Sequence, residues 1–280
     1  MNRAIIISAT LLLAVPAADR TLAAQRGGIL GRVARAAGGA AAGSFTVGVA
    51  KEREIGREVA ATVAGRWRVL NDPALNDYVN LVGTVVAQQS PRYNELPFRF
   101  AVLDTDEINA FAAPGGYVFV TRGALELMES EAELAGVLAH EVAHVDQKHV
   151  LEQMRKGSMI QGAQSEADLN GFVLDQAVGR LTSLIFTGLG RGDELESDSL
   201  GMLYAASAGY RPDGLATFVR RLQTSESNER KRRFLAEMKA THPEPPERVA
   251  ALERQAAAAH LDPASGQLLA DRFRRYVRRR

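Results

Sequence analysis

Two histidines four residues apart, His140 and His144, enclose a glutamate, Glu141, in the pattern HExxH. Neutral imidazole nitrogens are good zinc donors, and a glutamate beside the ion can work on a water molecule. Residues four apart lie on one face of a helix, so both rings can reach one metal, with Glu141 next to that face. The pattern arises by chance in on the order of one chain in a hundred of this length, so the surrounding sequence has to decide. A catalytic zinc has three protein ligands and one open position. His149 is five residues past His144, about 140° round an ideal helix, and reads as a polar neighbour rather than the third ligand. The extended motif with a third histidine needs glycine and histidine where Gln147 and Val150 stand, which excludes that class.

A carboxylate from a later helix remains. Glu194 is the best placed, because Asp198 follows one turn on along the same face. The pair allows a division of labour, with Glu194 on zinc and Asp198 accepting a hydrogen bond from the free ring nitrogen of a ligand histidine. Glu196 points about 200° away from Glu194 and is the weaker ligand. The competing reading makes Glu194 and Glu196 solvated acids at a helix start, favoured there by the macrodipole.

These residues need two helices to carry them. Ser130-Glu131-Ala132-Glu133 reads as a capping box. The helix it starts turns Leu134, Val137, Leu138, Val142 and Val145 toward a core, along with the histidine pair. A second core-facing helix starts near Gly192, runs through Leu200, Leu203 and Tyr204, and ends at Gly209-Tyr210-Arg211-Pro212. Upstream, Val49, Ile55, Val59, Val63, Trp67 and Leu70 recur at helical steps, and Asn71-Asp72-Pro73 caps another helix with Leu75, Tyr78, Val79, Val82 and Val86 buried. The period then changes to two. Phe98, Phe100 and Val102 alternate with Arg99, Ala101 and Leu103, a strand with one face on a core. Pro114-Gly115-Gly116 between Ile108–Ala112 and Tyr117–Thr121 predicts a hairpin with a type II turn. Lys156 to Asn170 reads as a polar loop, Phe172 to Leu189 as a helix, and Thr241 to Arg248 as a stiff proline-rich connection. A last helix runs from Val249 to His260. Together these elements predict a mostly helical α+β fold.

The chain has 280 residues, 46% of them apolar, and a formal net charge of +1. That is enough for a real core, and nothing in the charge points to nucleic acid. The absence of cysteine excludes disulfides, thiolate metal sites and a cysteine nucleophile. Arg3, the short apolar run Ala4 to Val15 and the small residues through Ala24 have the layout of a cleavable signal peptide, residues 1–24. Residues 25–43 read as a flexible Gly/Ala-rich lead-in, 44–260 as the folded domain and 261–280 as a basic tail. No later stretch is long and apolar enough to span a bilayer. The expectation is an exported protein, periplasmic in a bacterium with two membranes, without a transmembrane helix.

The chain resembles the zinc metallopeptidases that include HtpX, the CAAX prenyl proteases and the periplasmic protease BepA. The resemblance is carried by Asn109-Ala110-Phe111-Ala112-Ala113-Pro114-Gly115-Gly116, the HEVAH helix, Glu194-x-x-x-Asp198, Ala208-Gly209-Tyr210, and His242-Pro243 with Arg248. It implies a zincin-like metalloprotease fold whose small sheet lines the active-site cleft with its edge strand. It implies one zinc ion on His140, His144 and Glu194, with Glu141 as general base. Asp198 would belong to the active site and could donate a proton, and His242 would approach the metal or the oxyanion. The membrane helices of the HtpX and prenyl-protease branches are absent, as is the tetratricopeptide array of the BepA type. On this reading the protein cleaves exposed or misfolded segments bound as an added β-strand along Asn109–Thr121. The alternative is a latent or chaperone-like zinc protein that binds unfolded chains without cutting them. Arg272–Arg280 could touch anionic surfaces.

Overall fold

Helix α1, Val49–Trp67, exists because Ile55, Val59 and Val63 recur every four residues, and all three are fully buried. Helix α2, Pro73–Ala87, starts where the Asp72 side chain accepts the Leu75 amide at 3.1 Å, with proline at its first position. This computed structural model describes residues 47–156, 172–224 and 245–277. The expected signal peptide and lead-in, the polar loop beyond Lys156, the segment from Ser225 and His242 lie outside the described residues.

Three strands follow: β1 (Arg99–Leu103), β2 (Ala110–Ala113) and β3 (Tyr117–Thr121). Their order is β1-β3-β2, with β1 parallel and β2 antiparallel to the central β3. The expected hairpin is therefore β2–β3. Its connection, Pro114–Gly116, is a short 3₁₀ turn with positive φ at both Gly115 (76°) and Gly116 (92°). Alternation divides the sheet between two cores, so the expectation of a single buried face is corrected. Phe100, Val102, Val118 and Val120 join the main core, while Leu103, Phe111 and Phe119 meet Ala60, Val63 and Trp67 of α1 on the other side.

The two edges of the sheet differ. Asn76 and Asn80 on α2 accept the Val102 and Phe100 amides at 2.9 and 3.2 Å. One helical turn (about 6 Å) matches two strand residues (about 6.6 Å), so an i, i+4 asparagine pair can close the β1 edge. β2 is the other edge. Thr121 donates to the Asn109 carbonyl at 3.0 Å, which sets the alternation so that the backbone groups of Ala110 and Ala112 face off the sheet.

Below β2 lies α4, Glu131–Asp146, reached through the short helix α3, Arg122–Leu127. Ser130 accepts the Glu133 amide at 3.3 Å, as a capping box requires, but the Glu133 carboxylate takes the Glu129 amide instead of that of Ser130. Every residue of α4 is buried. It is followed by α5 (His149–Lys156), α6 (Phe172–Thr187), α7 (Arg191–Ser207), α8 (Gly214–Thr224), α9 (Pro245–Ala258) and α10 (Ala270–Val277). α7 presses on α4 at Gly201, where an added Cβ would stand 2.7 Å from the His140 amide nitrogen. Only glycine permits that approach, and it aligns the acidic end of α7 with the histidines.

Two expectations change here. α9 begins at Pro245 rather than Val249, since prolines suit a first turn, and this puts Arg248 on a helix. The basic tail is in fact the docked helix α10. Phe273 is fully buried, Tyr276 stacks on Tyr78 at 4.2 Å between ring centres, and Arg272 pairs with buried Glu131. That pairing withdraws Arg272 from the expected anionic contact. Among the described residues no helix is long and apolar enough to cross a membrane.

Candidate metal centre

His140 and His144 aim their Nε2 atoms at a common point, 3.0 Å apart. The Glu194 carboxylate on α7 meets them, Oε2 at 3.4 Å from His140 and Oε1 at 3.6 Å from His144. All three side chains are buried, and each offers one donor atom within 4.8 Å of the others. Zinc bonds of 2.0–2.1 Å in tetrahedral geometry separate donors by about 3.3 Å, so the trio fits such an ion without rearrangement.

The support behind the trio is ionic. Asp198 Oδ1 stands 2.9 Å from His140 Nδ1, and Arg248 donates to both Asp198 oxygens at 2.9 and 2.6 Å. Contact with Asp198 fixes the proton of His140 on Nδ1 and leaves Nε2 free to act as a donor to a metal. Burial alone would lower the His140 pKa, but Asp198 and Glu194 outweigh it and carry it to about 10, so the pocket strongly attracts positive charge. Burial opposes ionisation of Asp198 as well, yet the Arg248 guanidinium holds it well below the usual carboxylate range. An acid so strongly ionised has no proton to give. The expected donor role of Asp198 is corrected on that ground; its position orients His140.

His149 sits behind the second histidine. Its Nδ1 is 2.9 Å from His144 Nδ1 and 3.2 Å from Ser197 Oγ, and its Nε2 is 3.5 Å from Glu196. If His144 presents Nε2 to the centre, its Nδ1–H donates to His149, whose Nε2–H then points at Glu196. Burial pushes the His149 pKa down, which suits this neutral relay. The helix-angle argument that set His149 aside does not apply, because α4 stops at Asp146 and Lys148 adopts φ 56° before α5 begins.

Glu141 faces the cleft above the centre. Among the described residues nothing donates a hydrogen bond to its carboxylate. Burial, helped by the negative charge of Glu194, raises its pKa to about 7 against the lowering effect of His140 and Arg248. Glu141 lines two adjoining pockets, one on each side of the centre, and the β2 edge lines both. Arg248 appears in the sequence only as part of a family motif. The clue to its role is that a buried Asp198 needs a cation, and the prolines before Arg248 start a helix that can deliver one. His242 lies outside the described residues.

Two histidines and a glutamate from crossing helices, a carboxylate beside them and a free strand edge above define a single-metal HExxH metallopeptidase on a zincin-like α+β fold. Residues 73–256 match Peptidase family M48, and the chain belongs to that family. It is 28% identical over 195 residues to the beta-barrel assembly-enhancing protease of Escherichia coli strain K12, covering 66% of this chain and 40% of that protein. It is 31% identical over 198 residues to a putative beta-barrel assembly-enhancing protease of Vibrio cholerae, covering 65% of this chain and 39% of the relative. To the mitochondrial metalloendopeptidase OMA1 of Arabidopsis thaliana it is 34% identical over 122 residues, 43% of this chain and 25% of the relative. The chain thus spans about 40% of the length of the first two relatives and a quarter of the third.

Proposed function

We propose that the protein is a zinc-dependent endopeptidase that cuts exposed or misfolded protein segments after export, in envelope protein quality control. The observation that carries this reading is the convergence of His140, His144 and Glu194 beside an unpartnered Glu141 and the open β2 edge. Zinc bound to the trio would supply Lewis acidity, polarising the scissile carbonyl and making water a better nucleophile. Glu141 takes the proton of the attacking water and passes it to the leaving amine. A pKa raised toward neutrality by burial suits a group that must both accept and release a proton. Substrate lies along β2 as an added strand, held through main-chain hydrogen bonds with little demand on sequence. β3 is paired on both sides, so the binding edge narrows from Asn109–Thr121 to Asn109–Ala113. The names of the beta-barrel assembly-enhancing relatives favour an envelope substrate.

The test is digestion of unfolded casein with and without a chelator, paired with metal analysis. One zinc per chain and cleavage abolished by chelator are expected. Chelator-insensitive binding of unfolded protein without cleavage would favour the chaperone-like alternative.

A further inference from the structure

A pocket leaves the metal centre toward the amino-terminal end of α4. On α4 it is walled by Val137, His140 and Glu141, which share a face at steps of three and four. The facing wall is α8, through Leu215, Phe218, Val219 and Leu222, again one helical face. Glycines hold the two helices together at one end. A Cβ on Gly214 would lie 2.2 Å from the Ala132 carbonyl oxygen, and one on Gly136 would lie 2.6 Å from the Leu215 amide nitrogen. Further along, side chains separate the helices, and a space of about 480 Å³, counting its open mouth, remains. Ile108 and Ala124 close it.

The lining divides by chemistry. All four α8 residues, Val137, Ile108 and Ala124 belong to the buried core, so the pocket is a gap in the core and not a dent in the surface. Polar side chains stand only at the end next to the centre: Asn109, His140, Glu141 and Arg248. Arg248 is already neutralised by Asp198, so no free counter-charge waits inside for an ionised guest. A charged side chain entering this space would be desolvated without a partner, whereas an apolar one is favoured roughly in proportion to the area it buries. The volume falls within the range that holds small ligands, far more than a methyl group needs.

The cleft also has a direction. This pocket is lined by residues 108–110 of the β2 arm, whereas the pocket on the other side of Glu141 is lined by Ala112, His144 and Glu194. A strand added antiparallel to β2, the slightly more stable pairing, runs from Ala112 toward Asn109. Residues that follow the scissile bond therefore come to the apolar pocket.

We infer that this pocket receives a large apolar side chain, of the Leu, Met or Phe class, from the substrate residue immediately after the scissile bond, with Ala124 and Leu222 setting the size it accepts. This rests on the proteolytic reading above. The test is a set of peptides identical except at that residue, carrying Gly, Ala, Leu, Phe, Glu or Lys, cleaved by the zinc-loaded full chain and by two variants. The parent should cleave the Leu and Phe peptides at least about tenfold faster in kcat/KM than the Ala peptide, and the Glu and Lys peptides slowest. Ala124→Leu should lose about tenfold on Phe and Leu while changing less than about threefold on Gly and Ala. Leu222→Ala, which removes volume and carries the test if the first variant does not fold, should move the optimum toward Phe. Cleavage by the parent without selectivity after the bond, or selectivity confined to the residue before it, overturns the inference and leaves the protease standing. Failure to cleave any member of the set overturns the proteolytic reading and the inference with it.

Discussion

Glu131 and Glu141 stand on the same helix with buried side chains, and the fold treats them in opposite ways. Glu131 opens α4. Its carboxylate accepts from Tyr78 Oη at 2.9 Å, Tyr210 Oη at 2.8 Å and Arg272 Nε at 2.5 Å, three donors from three separate parts of the chain. A negative charge at a helix start also meets the favourable end of the dipole. Glu141 has no donor among the described residues, and its pKa is pushed up to about 7 by burial. A saturated carboxylate fixes structure; one left unsaturated at the edge of a cleft is free to take a proton. Asp146 shows a third treatment. It ends the helix, where the dipole disfavours an anion, and burial raises it to about 6 although Ser90 donates to it.

The contrast can be broken at several points. The largest stability effect is expected for Asp198→Ala, which strands the buried Arg248 charge and leaves His140 without its acceptor. Denaturant unfolding should show a loss of about 3–5 kcal/mol, and zinc competition a roughly 10- to 100-fold weaker site. Asp146→Asn comes next and has the opposite sign. The folded-state pKa of about 6 exceeds the ordinary 3.8, so between these values the folded chain keeps a proton that the unfolded chain releases. The charge therefore costs stability fully above about pH 6, and the cost vanishes below about pH 4. The variant should be more stable than the parent by about 2–3 kcal/mol at pH 8 and equal to it near pH 4. A pH-independent difference in denaturation midpoint would deny that Asp146 is the source. Arg272→Ala should have the smallest effect. Its guanidinium is half-exposed, so a loss of about 1–2 kcal/mol is expected, with turnover per folded molecule unchanged.

Sequence could reveal what is local. The i, i+4 spacing of His140 with His144 and of Glu194 with Asp198 survives translation into helices, so the centre was legible before any fold. The Asp72 and Ser130 caps were legible for the same reason. The ionic supports were not. Arg248 finds Asp198 across 50 residues and Arg272 finds Glu131 across 141, separations at which no local pattern records the meeting. The hairpin was written in Pro114-Gly115-Gly116, but which strand became the edge depended on β1 pairing parallel to β3 and on Asn76 and Asn80 closing the far side. His149 was misplaced by extrapolating a helix that ends at Asp146. The arginines after Ala270 hid a helix face made by Phe273, Tyr276 and Val277, residues spaced to dock on α2 and α4.

The central claim is that one helix carries a structural acid and a catalytic one. It is tested most directly by measuring zinc content, melting temperature and turnover for Glu131→Gln and Glu141→Gln side by side. Glu141→Gln should keep one zinc per chain, melt at or above the parent temperature and lose cleavage by about 10³-fold. Glu131→Gln should melt lower and keep its turnover per folded molecule. Parental cleavage by Glu141→Gln, or parental stability in Glu131→Gln, would contradict the account.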